Sequence, residues 1–173
     1  MTSTRILIEI DFQGWILAAS ASDGVAERAR AVRDRWRAQG GRVFCTRYLS
    51  HDPDDPLRSD PEGPGAAFHP LLRPDGDDLV LTKDGQDITA NPDLQANLQL
   101  AGANGVVLTG VATEHGVSLA AGSLRELGYD VCVVADACAG ETVAAHEAAL
   151  ARLVASGISV RASEHTPAPR VGS

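Results

Sequence analysis

Asp11, Lys83, Asp136 and the segment Gly110-Val111-Ala112-Thr113-Glu114-His115-Gly116 each stand just beyond an apolar run that reads as a strand. The preceding runs are Arg5–Ile10 for Asp11, Asp78–Thr82 for Lys83, Gly105–Thr109 for the glycine-bounded segment and Asp130–Val134 for Asp136. A carboxylate and an ammonium brought together can pass a proton to a substrate and balance the charge that develops. A strand-to-helix turn adds backbone N–H groups that have no acceptor inside the helix. Taken singly, each group has an ordinary explanation. An acidic residue after a strand commonly serves a turn or cap, a lone lysine is usually solvated, and Asp136 reads as a support for the turn around Ala137–Gly140. The joint placement of Asp11, Lys83 and the turn carries the functional reading.

What must position these groups is an open parallel sheet, in which ligands bind outside the carboxyl ends of the strands. Arg5–Ile10, Arg42–Thr46, Gly105–Thr109 and Asp130–Val134 have the length and β-branched content of buried parallel strands, and Asp78–Thr82 and Ile158–Arg161 complete the set. Helical patterns alternate with them. Ser22–Gln39 carries Val25, Ala29, Val32 and Trp36 on one face and charged residues on the other, and it stops at Gly40-Gly41. Glu114–Leu127 aligns Val117, Ala120, Ala121 and Leu124 ahead of Gly128; Thr142–Ala155 aligns Leu150, Leu153 and Val154 ahead of Gly157. The expected architecture is α/β, a three-layer sandwich with a mostly parallel six-stranded Rossmann-like sheet and helices on both faces. It occupies residues 1–163, and residues 164–173 form a tail without a core pattern. Leu49–Pro64, rich in Pro and Asp, is either a wall or lid over a pocket or a solvated acidic loop.

Composition narrows the function classes. The chain of 173 residues suits one domain, and no apolar run approaches the roughly 20 residues of a membrane span. Met1-Thr2-Ser3-Thr4-Arg5 runs directly into the first strand, so a cytoplasmic location without a cleavable signal is expected. A formal charge of −8 disfavours nucleic acid as a partner. Cys45, Cys132 and Cys138 lack metal-ligand spacing and read as small buried hydrophobes. The chain lacks GxGxxG, Walker A and GxSxG motifs, and Gln13 stands where an aspartyl phosphatase would need a second Asp. No nucleic acid, membrane, cofactor or metal is expected.

Three stretches carry a resemblance. They are ILIEIDFQGWIL, FHPLLRPDGDDLVLTKDGQDITANPDLQANL and GVVLTGVATEHGVSLAAGSLRELGYDVCVVADACAG, which together span most of Ile6–Ser163. In this order they resemble the isochorismatase-like hydrolases, the cysteine hydrolase superfamily. Most of that family uses an Asp–Lys–Cys triad with an oxyanion hole of two backbone N–H groups. The resemblance implies that Asp11 and Lys83 are catalytic, that Ala112 and residue 116 supply the oxyanion donors, and that Gly116 stands where the cysteine would be. It also implies a small-molecule substrate as the partner, a cis peptide between Val111 and Ala112 and a homo-oligomer, dimer or tetramer. His51 alone stands in the loop where related nicotinamidases carry a metal cluster, which again implies no metal.

Without a side chain at residue 116, no thioester or thioimidate can form there. Asp and Lys with Gly resembles the true isochorismatases, which cleave a vinyl ether and release pyruvate. In that reading Asp11 donates a proton, while Lys83 orients the substrate and balances charge. An adjacent ammonium favours the ionised carboxyl, so burial or the substrate's own carboxylates must offset it. Gln13, Trp15, Arg47, Thr113 and His115 are the substrate-binding candidates. Arg58 and Arg73 are further carboxylate partners, and Phe12, Trp15, Tyr48 and Phe68 are possible ring walls. Two alternatives stay open: a non-catalytic relative that binds a small molecule or partner through the inherited pocket, and a replaced cysteine, since Glu114-His115-Gly116-Val117 reads as a context that would accept one unchanged.

Overall fold

The computed structural model describes residues 3–54 and 60–171. Its strands are β1 (Ser3–Ile10), β2 (Val43–Tyr48), β3 (Leu79–Lys83), β4 (Gly105–Val111), β5 (Asp130–Ala139), β6 (Ser159–Arg161) and β7 (Arg170–Val171). Its helices are α1 (Gly14–Ala18), α2 (Val25–Ala38), α3 (Pro92–Leu100), α4 (Ser118–Glu126) and α5 (Val143–Ala155). The sheet order is β3-β2-β1-β4-β5-β6, parallel throughout, so the expected six-stranded α/β sheet is present. No helix among the described residues is long and apolar enough to cross a membrane.

Alternation along the strands builds two cores. Ile6, Ile8 and Ile10 face one side of the sheet with Val106 and Leu108, against Leu94 and Leu98 of α3, Ala120 and Leu124 of α4 and Leu153 of α5. Leu7 faces the other side with Val43, Cys45 and Val107, against Val25, Ala29, Val32 and Trp36 of α2. The next inward position on that side of β1 is Glu9, and it meets Arg33. This arginine is 1% exposed. Its Nε donates to Glu9 Oε1 at 2.9 Å and its Nη2 pairs with Glu9 Oε2. The same guanidinium donates to the carbonyls of Leu72 (3.1 Å) and Arg73 (2.8 Å). Arg33 thus departs from the solvent face on which the charged residues of this helix were expected, and it joins α2, β1 and the segment around Leu72 in one buried cluster.

Four further differences from the sequence reading have physical causes. α3 carries only Leu94 and Leu98 as buried anchors and so leaves a weak apolar pattern; Asn91 caps it by accepting from Asp93 N, with Pro92 at its first position. The helix expected from Glu114 begins instead as a wide turn over Thr113–Val117, in which Val117 N donates to Ala112 O at 3.3 Å, and α4 proper starts at Ser118. Asp136 serves a different turn from the one expected: its carboxylate accepts from Ser163 N and Ser163 Oγ, both at 2.7 Å, and so caps the short helical turn Ser163–His165. In the expected tail, Arg170 and Val171 pair antiparallel with Thr4 and Ser3. The middle of Leu49–Pro64 lies outside the described residues.

Candidate active site

β1, β2 and β3 end side by side, and their last inward positions converge. Asp11 directly follows β1 with φ 52°, in the left-handed region that Asp tolerates better than most residues. That bend turns its carboxylate over the strand ends. Thr46 Oγ1 of β2 donates to Asp11 Oδ1 at 2.7 Å, and Lys83 Nζ of β3 stands 2.8 Å from Asp11 Oδ2. The ammonium also donates to Gln86 O at 2.7 Å and lies 5.9 Å from the centre of the Tyr48 ring. The Lys83 and Asp11 side chains are 3% and 5% exposed. At that depth the charges are poorly screened, and the attraction between them is correspondingly strong.

β4 closes the other side. The β4–β5 register shifts between Leu108 and Gly110, and Gly110 has φ 147°. A Cβ there would overlap the carbonyl oxygen of Ile10, so only glycine lets β4 approach β1 at this point. The Val111–Ala112 peptide is cis, as the resemblance implied. Ala112 and Gly116 then face Asp11 and Lys83 across a cleft of about 510 Å³ including its open mouth, which Trp15, Ile16, Tyr48, Gln86, His115 and Glu141 also line. A Cβ built on Gly116 would stand 3.0 Å from Lys83 Nζ, 3.3 Å from Ile10 Cγ2 and 3.5 Å from Gln86 O. The position is therefore not an empty socket for a larger residue: the lysine ammonium already lies against it. A cysteine there needs the Lys83 ammonium, the end of a flexible side chain, to give by a few tenths of an ångström.

Of the sequence-derived candidates, Asp11, Trp15, Lys83, Ala112, His115 and Gly116 come together around the cleft. Gln13, Arg47 and Thr113 do not line it. Gln13 is fully buried: its Nε2 donates to Tyr48 O and Ala66 O, both at 3.0 Å, and its Oε1 accepts from Tyr48 N at 2.6 Å. It braces the wall that carries Tyr48. Arg47 lies between Thr46 and Tyr48 on a strand that runs two residues longer than expected, so alternation sends it to the opposite face, where Nε donates to Thr82 Oγ1 at 3.0 Å. Thr113 is buried, with Oγ1 2.7 Å from His146 Nδ1. Arg73 is exposed and away from the cleft, and Arg58 lies outside the described residues. Phe12 belongs to the core and Phe68 packs against it. Trp15 and Tyr48 meet edge to face, centroids 6.1 Å apart.

Thr46, Gln86 and Glu141 were missed. The rule that selected Asp11 and Lys83 takes the residue after a strand, and on the expected strand Arg42–Thr46 it passes over Thr46, which faces the site from within β2. Glu141 and Gln86 carry no strand signal, because they reach the cleft only through the path of their loops. All three cysteines are buried and none lines the cleft; burial pushes the Cys138 thiol up to about 12 and raises those of Cys45 and Cys132. None is poised as a thiolate. Glu114, His115 and Glu141 bring ligand-type atoms within 4.8 Å of one another at the cleft mouth. His115 Nε2 and Glu141 Oε1 already satisfy each other at 3.0 Å, and Glu114 Oε1 accepts from Glu141 N at 2.7 Å.

Residues 5–165 match the isochorismatase domain. The uncharacterized isochorismatase family protein YwoC of Bacillus subtilis (strain 168) is 28% identical over 155 residues, covering 83% of this chain and 82% of that protein. Among solved structures, an isochorismatase-like hydrolase from Alkaliphilus metalliredigens superposes with a TM-score of 0.86 at 22% identity, covering 94% of this chain and 95% of the other. N-carbamoylsarcosine amidase from Thermoplasma acidophilum does so with a TM-score of 0.79 at 23% identity, covering 94% and 98%. These structural likenesses extend the fold, and the domain match extends over nearly the whole described chain. By that match, the chain belongs to the isochorismatase family.

Proposed function

We propose that this chain hydrolyses a small vinyl ether, with isochorismate as the candidate substrate, by proton transfer at Asp11 and without a covalent intermediate. One observation carries the reading: a buried Asp11–Lys83 pair faces residue 116, which has no side chain and whose Cβ position lies 3.0 Å from Lys83 Nζ. Proton-transfer groups are retained and a nucleophile is not. Asp11 would protonate the terminal vinyl carbon, giving an oxocarbenium ion. Water adds to the ether-bearing carbon of that ion and returns a proton to Asp11. The resulting hemiketal breaks its C–O bond to the ring, leaving pyruvate and a diol. Lys83 stabilises the Asp11 carboxylate formed on proton loss. A substrate carboxylate drawn towards Lys83 would weaken its hold on Asp11 and so favour the protonated acid beforehand.

The test is pyruvate release from isochorismate, followed by coupled reduction to lactate. Wild type is expected to turn over, and Asp11→Asn, which cannot donate the same proton, is expected to lose about 10²-fold or more. Equal rates in the two proteins would sink the assignment of Asp11. A second reading, a non-catalytic binder, draws support from the lysine's full engagement with Asp11 and Gln86 O. It predicts that isochorismate raises the melting temperature with no pyruvate formed.

A further inference from the structure

The wide turn Thr113–Val117 presents Ala112 and Gly116 to the cleft, yet its own backbone pairing is loose and His115 has non-helical angles (φ −112°, ψ −105°). What holds it is the start of α5. Thr113 Oγ1 lies 2.7 Å from His146 Nδ1, and Glu114 Oε1 accepts from Glu141 N at 2.7 Å. Gly140 permits this approach, because a Cβ there would overlap Glu114 Oε2 and stand 2.9 Å from His146 N. Thr113 has no exposed surface and His146 is half-buried, so the bond between them is not readily replaced by water. His146 itself does not line the cleft.

We propose that His146 is a positioning residue of this site: through Thr113 it fixes the turn that aims Ala112 and Gly116 at the cleft. The role belongs to the uncharged ring. With its proton on Nε2, the imidazole accepts the Thr113 hydroxyl at Nδ1; once Nδ1 is protonated it can only donate, and the hydroxyl must reverse. The groups facing the ring are Thr113 and Glu114 from the turn and Glu147 from α5 itself. Burial holds the His146 pKa below its ordinary value of 6.5, while the Glu114 and Glu147 carboxylates pull the other way. Acid that protonates the ring therefore inverts this bond, and the turn feels the change through Thr113. The role in catalysis rests on the proposed function; the coupling of ring to turn does not.

Nuclear magnetic resonance of the ¹⁵N-labelled protein, without substrate, tests the coupling. The Gly116 amide is expected to shift with the same midpoint as the His146 ring, below pH 6.5. In His146→Asn, which keeps an uncharged acceptor near the Nδ1 position, the Gly116 amide should stay at its high-pH frequency throughout. In Thr113→Val, His146 should still titrate while Gly116 no longer follows it. A Gly116 amide that ignores pH, that follows His115 instead, or that keeps its titration in His146→Asn overturns the proposal. Where turnover is found, His146→Ala should lower kcat roughly tenfold with KM little changed, within the range expected for misplaced groups, and His146→Asn should recover most of it. A loss in His146→Ala that tracks only the folded fraction also overturns the positioning role. Absence of turnover in wild type bears on the proposed function alone, because the resonance data stand without it.

Discussion

Gly116→Cys restores the family's nucleophile in sequence, and the structure predicts that it does not restore a cysteine hydrolase. The new Cβ would lie 3.0 Å from Lys83 Nζ and 3.3 Å from Ile10 Cγ2, where ordinary contact begins near 3.4 Å. Ile10 is fully buried within the core and has nowhere to retreat. Lys83 Nζ, the end of a flexible side chain, must give by a few tenths of an ångström, which strains its bond to Gln86 O and its contact with Asp11. A hydrogen bond to a charged group is worth ~1.5–3 kcal/mol, and over-packing a tight site costs ~1–3 kcal/mol. A shift of a few tenths of an ångström weakens these interactions without breaking them, so a net loss at the lower end, about 1 kcal/mol, is expected. Urea denaturation measures it as a lowered midpoint at unchanged slope. Mass spectrometry after incubation with amide substrates should show no acyl-enzyme. A variant within about 0.5 kcal/mol of the parent, the usual range of harmless substitutions, would refute the packing argument. An accumulating acyl-enzyme would refute the chemical one.

Two further outcomes follow from buried charge. Arg33→Met leaves Glu9 buried without its partner and should cost about 3–5 kcal/mol in urea denaturation, whereas adding Glu9→Leu should recover most of that; a single variant that loses under about 1 kcal/mol would show that the pair does not matter. Burial tends to raise the Asp87 pKa, but hydrogen bonds from Ser123 and Thr89 and the charge of Lys83 outweigh it and hold the carboxyl below its usual 3.8. Because the folded-state value is the lower one, its contribution is present above pH 3.8 and disappears as pH falls through the depressed folded value. The melting-temperature gap between wild type and Asp87→Asn should therefore be widest near neutrality and close in acid; a gap constant with pH would exclude the ionised role.

The readable part of this fold was the part written in one strand or one helix at a time. Ile6-Leu7-Ile8 announces a strand buried on both faces, and the residue after it reaches the ligand side of the sheet. Arg33 was not legible, because the reason for its burial is Glu9, 24 positions away on another element. Arg47 was misplaced for want of two residues: a strand ending at Thr46 leaves it in a loop, whereas one ending at Tyr48 puts it on the far face by alternation. Thr113 and Gln13 sit within motifs that carry the family resemblance, and sequence alone does not separate a side chain that touches a ligand from one that holds the wall. The helix Pro92–Leu100 was not placed from sequence, because two buried leucines give little periodicity.

The pairing of β7 with the first residues of β1 also has a practical meaning. Ser3 and Val171 are register partners, so both described ends of the chain leave from one spot beside the amino end of β1. Asp11 lies past the opposite end of that strand, roughly 26 Å away at an extended rise of ~3.3 Å per residue. An affinity tag, a surface tether or a fused domain attached at either end would project away from the cleft. A short peptide bridging the two ends would allow new termini to be opened elsewhere, for instance at the exposed Gly102 turn between α3 and β4, without crossing the strand ends that hold Asp11 and Lys83.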